Sequence, residues 1–268
     1  NRASVDKKKI QLLAESQKHR GPKESILKFV QPDSNLAPPT FYSSSSTNTG
    51  RLTVTSGPNI LTAPAPLRNC FKSTFADGQI VQIDIVAAEP KFAMHVKGGK
   101  VPVDVYSDIS ESVFAGKLSR GQIKIATLCA LYGQSPSKLS ELLPPGESAS
   151  LVVSKVKNYF GVDSLKKKLE VDRISGNMTN FLGRPLKPSD PGLNVNYFLQ
   201  SSVAESCILM FKDFCERFPS VKPLYVIHDA LIVDVPKFFA DRFENGQLVD
   251  LFFNDWKFES KLNFLGHN

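Results

Sequence analysis

Leu224-Tyr225-Val226-Ile227-His228-Asp229-Ala230-Leu231-Ile232-Val233-Asp234-Val235 is the stretch on which the fold turns. Two apolar, largely β-branched runs meet at His228-Asp229, a pattern that predicts a β-hairpin with the His-Asp pair at its tip. A second run, Ile80-Val81-Gln82-Ile83-Asp84-Ile85, has the same texture and predicts a buried strand ending near an acid. Between and beyond these runs the texture is helical: residues 104–133, 137–143, 148–160, 164–174, 196–218 and 238–251. Residues 258–265 read as a closing strand, and residues 176–192, rich in Gly, Pro and Asn, as irregular. Strands separated by blocks of helix, with a hairpin among them, predict an α+β fold with an antiparallel sheet.

Outward from this centre the chain is of ordinary globular composition. It has 268 residues, 41% of them hydrophobic and 22% charged, which excludes a disordered, collagen-like or coiled-coil chain. No apolar run reaches 18 residues, so no membrane span is expected. Cys70, Cys129, Cys207 and Cys215 form no CxxC pair and no zinc-ligand spacing, and are expected as buried free thiols in a reducing cytoplasm. The net charge of +7 points weakly to an anionic partner. Much of the excess lies in the first thirty residues, which read as two short basic helices broken at Gly21-Pro22. Residues 32–49, with Pro38-Pro39 and a run of serines, read as a connector.

Asp84 and Asp229 stand out because each sits beside an apolar strand, where an acid costs several kcal/mol of desolvation unless it is paired or metal-bound. Read singly, Asp84 is equally a strand-end cap and Asp229 a turn residue. Read together, two acids on neighbouring strands can hold two divalent cations roughly 4 Å apart, the arrangement used in phosphoryl and nucleotidyl transfer. A third feature is Arg120-Gly-Gln-Ile-Lys124-Ile-Ala-Thr-Leu128-Cys-Ala-Leu-Tyr132-Gly133. Arg120, Lys124, Leu128 and Tyr132 recur every four residues, so on a helix they share one face, with an arc of roughly 120°. Two cations, an apolar side chain and a ring in that order suit a nucleoside triphosphate, although a plain amphipathic helix gives the same spacing.

Four blocks in this order resemble the DNA polymerase I family (family A DNA polymerases). Thr49-Gly50-Arg51-Leu52 with Pro58-Asn59 is similar to the TGRL…PN block, and Asp84-Ile-Val-Ala-Ala-Glu89-Pro90-Lys91 to motif A. Arg120…Lys124…Tyr132-Gly133 resembles motif B, and Ile227-His228-Asp229 motif C. Gly183-Arg184, Asn196-Tyr-Phe-Leu-Gln200 and Asp104-Val-Tyr-Ser-Asp108 match further elements, and the resemblance runs from Thr49 to the C-terminus.

The resemblance implies a right-hand polymerase core with an antiparallel palm sheet and helical fingers. Residues 1–48 would be a basic segment (thumb remnant or linker), 49–103 and 183–268 the palm, and 104–182 the fingers. It implies a template-directed DNA polymerase, with Asp84 and Asp229 as catalytic acids holding two magnesium ions. Arg120 and Lys124 would hold the dNTP triphosphate. Leu128, Tyr132 and Glu89 would line the nucleotide, Glu89 selecting the deoxy sugar. Arg51, Asn59, Arg184, Asn196, Gln200 and His228 would touch a DNA primer–template.

The chain departs from the family at several points. Leu128 replaces Phe or Tyr, Ala230 a frequent Glu, Ile85 an aromatic, and Pro90-Lys91 a Leu-Arg pair; the last suggests a bacteriophage branch. Only some fifty residues precede the TGRL block, which implies a fragment, a processed product or half of a split enzyme. A separate thumb or exonuclease polypeptide, or a processivity factor, would then be a partner. The alternatives are a single-subunit RNA polymerase, which shares the motif B spacing, and a catalytically dead polymerase-like nucleic-acid-binding subunit.

Overall fold

The computed structural model describes residues 1–266. In chain order its elements are β1 (Ser4–Val5), α1 (Lys7–Glu15), α2 (Arg20–Leu27), β2 (Phe41–Ser43), β3 (Thr53–Ser56), β4 (Phe71–Lys72) and β5 (Gln79–Ile85). Then come α3 (Ala88–Lys97), α4 (Val105–Phe114), α5 (Arg120–Tyr132), α6 (Ser137–Leu142), α7 (Ala149–Phe160), α8 (Val162–Ile174) and α9 (Asn194–Arg217). The chain closes with β6 (Lys222–Ile227), β7 (Ala230–Val235), α10 (Lys237–Arg242), β8 (Leu248–Phe253) and β9 (Trp256–Leu265). Short 3-10 turns lie at Ala65–Cys70 and Pro191–Leu193. These elements form two compact units: residues 1–86 with the described part of 206–268, and residues 87–205.

The first unit is built on a five-stranded antiparallel sheet of order β6-β7-β5-β9-β8. The expected hairpin is β6 and β7, and the expected buried strand is β5, which lies between β7 and β9. Every residue of β7 is buried, whereas β5 alternates from Val81 onward, with Val81, Ile83 and Ile85 buried and Gln82 and Asp84 half-buried. The basic first residues fold into the same core: Ala3, Val5, Ile10, Ala14, Ile26, Phe29 and Ala37 pack with Phe71, Ile80, Tyr225 and Ile232. Full burial of each large apolar side chain is worth roughly 1.5–3 kcal/mol. The break between the first two helices falls at residues 16–19 and not at Gly21-Pro22, because α2 takes both into its first turn, where proline lacks no needed N–H.

At the far end of β7 from the hairpin tip, Asp234 is 1% exposed. It accepts hydrogen bonds from Ser73 Oγ (2.5 Å), Thr74 N (2.8 Å) and Thr74 Oγ1 (2.6 Å), which ties the 73–74 loop to the sheet. Residues 238–251 are not one helix as expected. Helix α10 stops at Arg242, and Leu248–Phe253 is recruited as β8, the edge strand paired along β9.

The second unit is mostly helical. Residues 104–133 break into two helices, since Ala115 (φ 50°) and Gly116 (φ 72°) turn left-handed between them. Asp104 caps α4 through Tyr106 N and Ser107 N. A reciprocal capping box of Ser119 and Gln122 starts α5, fixing where Arg120 stands. Ile123, Ala126, Val152, Val156 and Phe160 are buried on α5 and α7, which pack together.

Candidate active site

In the first unit the ladder brings the two acids together. Asp84 lies opposite Ala230 on β7, the residue after Asp229, and the Ile85 N–H donates to the Asp229 carbonyl at 3.1 Å. Burial, and next the charge of Asp84, raise the Asp229 carboxyl above its ordinary value; its own backbone, His228 and Arg51 act in the opposite sense. Asp84, His228, Arg51 and Asp229 are therefore one electrostatic neighbourhood. Ala230 puts a buried methyl group across from Asp84.

The backbone beside both acids is strained. His228 (φ 54°), which precedes Asp229, and Ala87 (φ 52°), three residues after Asp84, are left-handed non-glycines. Such residues cost of order 1–3 kcal/mol and concentrate at functional sites. Asn59 serves its own loop: its Oδ1 accepts from Leu61 N at 3.1 Å.

In the second unit the expected helix face exists on α5. Arg120 and Lys124 are exposed and Leu128 and Tyr132 half-buried, so the face runs from wet cations to a sheltered ring. Gly133 ends the helix with φ 68°. Arg120 is engaged within its own unit: its Nε donates to Asp104 Oδ2 at 2.7 Å, and its guanidinium stands 5.0 Å from the Tyr106 ring centre. Burial raises the Asp104 carboxyl, but the Arg120 and Ser107 bonds and the Arg120 charge outweigh it and hold that carboxyl below its ordinary value. Glu89 is half-buried in the first turn of α3, a helix the sequence reading missed.

Asn196 and Gln200 are half-buried one turn apart on α9, and Asn196 Oδ1 is a buried acceptor with no hydrogen-bond partner among the described residues. Such an atom calls for an explanation, a ligand or water among them. Arg184, expected as a nucleic-acid contact, pairs with Glu205 on α9, a residue the sequence reading passed over. No local pattern signals that pair, because the two residues are 21 apart.

Among the described residues no group of three or more His, Cys, Asp or Glu side chains forms a metal cage. None of the described helices is long and apolar enough to cross a membrane.

The fold has a solved counterpart. It is similar to a DNA polymerase domain. One match is the POL domain of Pol1 from M. smegmatis, solved in complex with a DNA primer-template and dNTP, with TM-score 0.63 and 17% identity. It covers 90% of this chain and 49% of that one, so this chain spans about half the length of its neighbour. No family model and no curated protein matches the sequence. At this identity the likeness establishes the fold alone.

Proposed function

We propose that the chain is the core of a template-directed DNA polymerase of the DNA polymerase I family, a right-hand palm and fingers that add deoxynucleotides to a primer 3′ end. The observation that carries this reading is the pairing of Asp84 with the Asp229 turn across the β5–β7 ladder, on a fold similar to a polymerase domain. Two neighbouring carboxylates, one of them raised by burial and next by the charge of the other, are a hard-oxygen donor pair suited to magnesium, which keeps several waters and needs few protein ligands. When bound there, magnesium supplies activation of a hydroxyl and neutralisation of charge on pyrophosphate.

The chain's own residues supply the rest. Arg120 and Lys124 bind the triphosphate, Arg120 exchanging some of its bond to Asp104 for phosphate oxygens. Glu89 restricts the sugar, and Leu128 and Tyr132 pack on the nucleotide. Arg51, Asn59, His228, Asn196 and Gln200 touch the primer–template, the last two offering side-chain amides suited to acceptors common to all base pairs in the minor groove. Arg184, held by Glu205, acts by bracing its loop.

Primer extension by the purified chain tests the reading, with magnesium, a 5′-overhanging template and either deoxy- or ribonucleotides. Extension with deoxynucleotides is expected. Extension with ribonucleotides alone would make the chain an RNA polymerase, and template binding without any extension would make it a binding subunit.

A further inference from the structure

The loop between α8 and α9 holds two large apolar side chains partly exposed by a set of hydrogen bonds. Asn180, 3% exposed, is its anchor. The Asn180 Oδ1 accepts from Leu182 N and Arg184 N, both at 2.9 Å, and its Nδ2 donates to Ser201 Oγ (3.0 Å) and Glu205 Oε2 (2.6 Å). Phe181 N donates to Ser202 Oγ at 2.9 Å, and Arg184 closes the ring through Glu205. The backbone of this tip is fixed to α9, yet Phe181 and Leu182 are each 41% exposed. A hydrogen-bonded mount that leaves two neighbouring apolar side chains partly exposed suits a contact surface.

The Phe181 ring also forms one wall of a cavity of about 630 Å³ that lies wholly within the second unit. Phe160, Leu169 and Phe198 make its apolar lining, and Lys97, Lys168 and Asp172 its charged groups. Lys97 is drawn to the Tyr159 carbonyl (2.6 Å), whereas Lys168 is exposed beside Lys166 and Lys167 on α8. Phe92, fully buried, meets the Phe181 ring edge-to-face at 5.6 Å and steadies it. An aromatic platform, a pocket of small-molecule size and a cationic margin together match a nucleobase with its phosphate.

We propose that the Phe181–Leu182 tip and the adjoining cavity bind an unpaired nucleotide of a single DNA strand, the base against Phe181 and the phosphate toward Lys168. The inference rests on the polymerase reading only in naming DNA as the strand. Fluorescence anisotropy of the full chain tests it with labelled single-stranded DNA, a primer–template with a 5′ overhang, and a blunt duplex. Phe181→Leu, which keeps the apolar volume, and Lys168→Glu should each weaken the first two probes about tenfold and leave the blunt duplex unchanged. Phe181→Tyr, which keeps the ring, should bind as the parent does.

Equal weakening on all three probes, or no change with Phe181→Leu, overturns the inference, as does competition by free dNTP as strong as by the single strand. Thermal midpoints of the variants matching the parent show that any loss is not unfolding. The readout needs no turnover. A chain that extends primers but ignores Phe181→Leu fails here alone, and one that binds single strands but never extends fails only the polymerase reading.

Discussion

Asp229 and Asp234 lie on one hairpin, five residues apart, and the fold treats them in opposite ways. Asp234 faces Ser73 and Thr74 and collects three hydrogen bonds in the core. Asp229 faces a second acid, Asp84, follows a left-handed histidine, and has its carboxyl raised by burial and by that neighbour. Both acids were costly to place in apolar sequence. Asp234 is compensated by those bonds, whereas Asp229 keeps a like-charged neighbour, the pattern on which its proposed metal-binding role rests.

The largest effect should come from the like-charged end. Asp84→Ala or Asp229→Ala is expected to reduce single-turnover primer extension at least about 1,000-fold, since several kcal/mol of transition-state stabilisation go with a carboxylate that holds metal. Asp229→Asn should lose extension as well. Without divalent cation it should also melt higher than the parent, by roughly 2–4 °C, the shift that about 1 kcal/mol gives in a chain of this size. A lower melting temperature would mean that Asp229 is a structural acid like Asp234, and the contrast would collapse.

The other end should respond in reverse. Asp234→Ala strips the acceptor from three donors beside a buried strand and should cost about 3 kcal/mol, read as a lower denaturation midpoint with unchanged slope. Extension per folded molecule should stay at the parent level. Loss of extension in the folded fraction would join the two ends into one device.

How much of this contrast the sequence carried follows from which forces are local. The strand at Gln79–Ile85 and the hairpin at Lys222–Val235 were legible within a residue or two, because β-branched runs and a turn pair are local signals. Helix α3 was missed, and Pro90 is accommodated in its first turn, where proline is tolerated. Residues 248–251 read as the end of a helix, and only the pairing with the distant β9 makes them part of a strand. The acid pair was legible as two strand-end acids, read together as lying on neighbouring strands. The β5–β7 register beside them, the Asp234 clamp on residues 73–74 and the Arg184–Glu205 pair all join residues far apart in sequence, which a local pattern does not encode.

Asp104 supplies the intermediate case, an acid matched by a cation, and the smallest expected effect. Its carboxyl is pushed up by burial but held below its ordinary value of 3.8 by Arg120 and Ser107. A depressed folded pKa adds stability that is complete above the unfolded value and is lost as pH falls through the folded one. The pair is half exposed, so its worth at neutral pH should be under about 1 kcal/mol. Asp104→Asn keeps an oxygen to cap α4 but removes the charge. The gap in stability between parent and variant should therefore close as pH is lowered below about 4, and urea midpoints at pH 7 and pH 3 check this. The same variant leaves Arg120 with a weaker competitor, so nucleotide affinity should rise about twofold. If affinity falls instead, Asp104 positions Arg120 for phosphate rather than withholding it, and opposite charge in this unit would serve the site in the way like charge does on the hairpin.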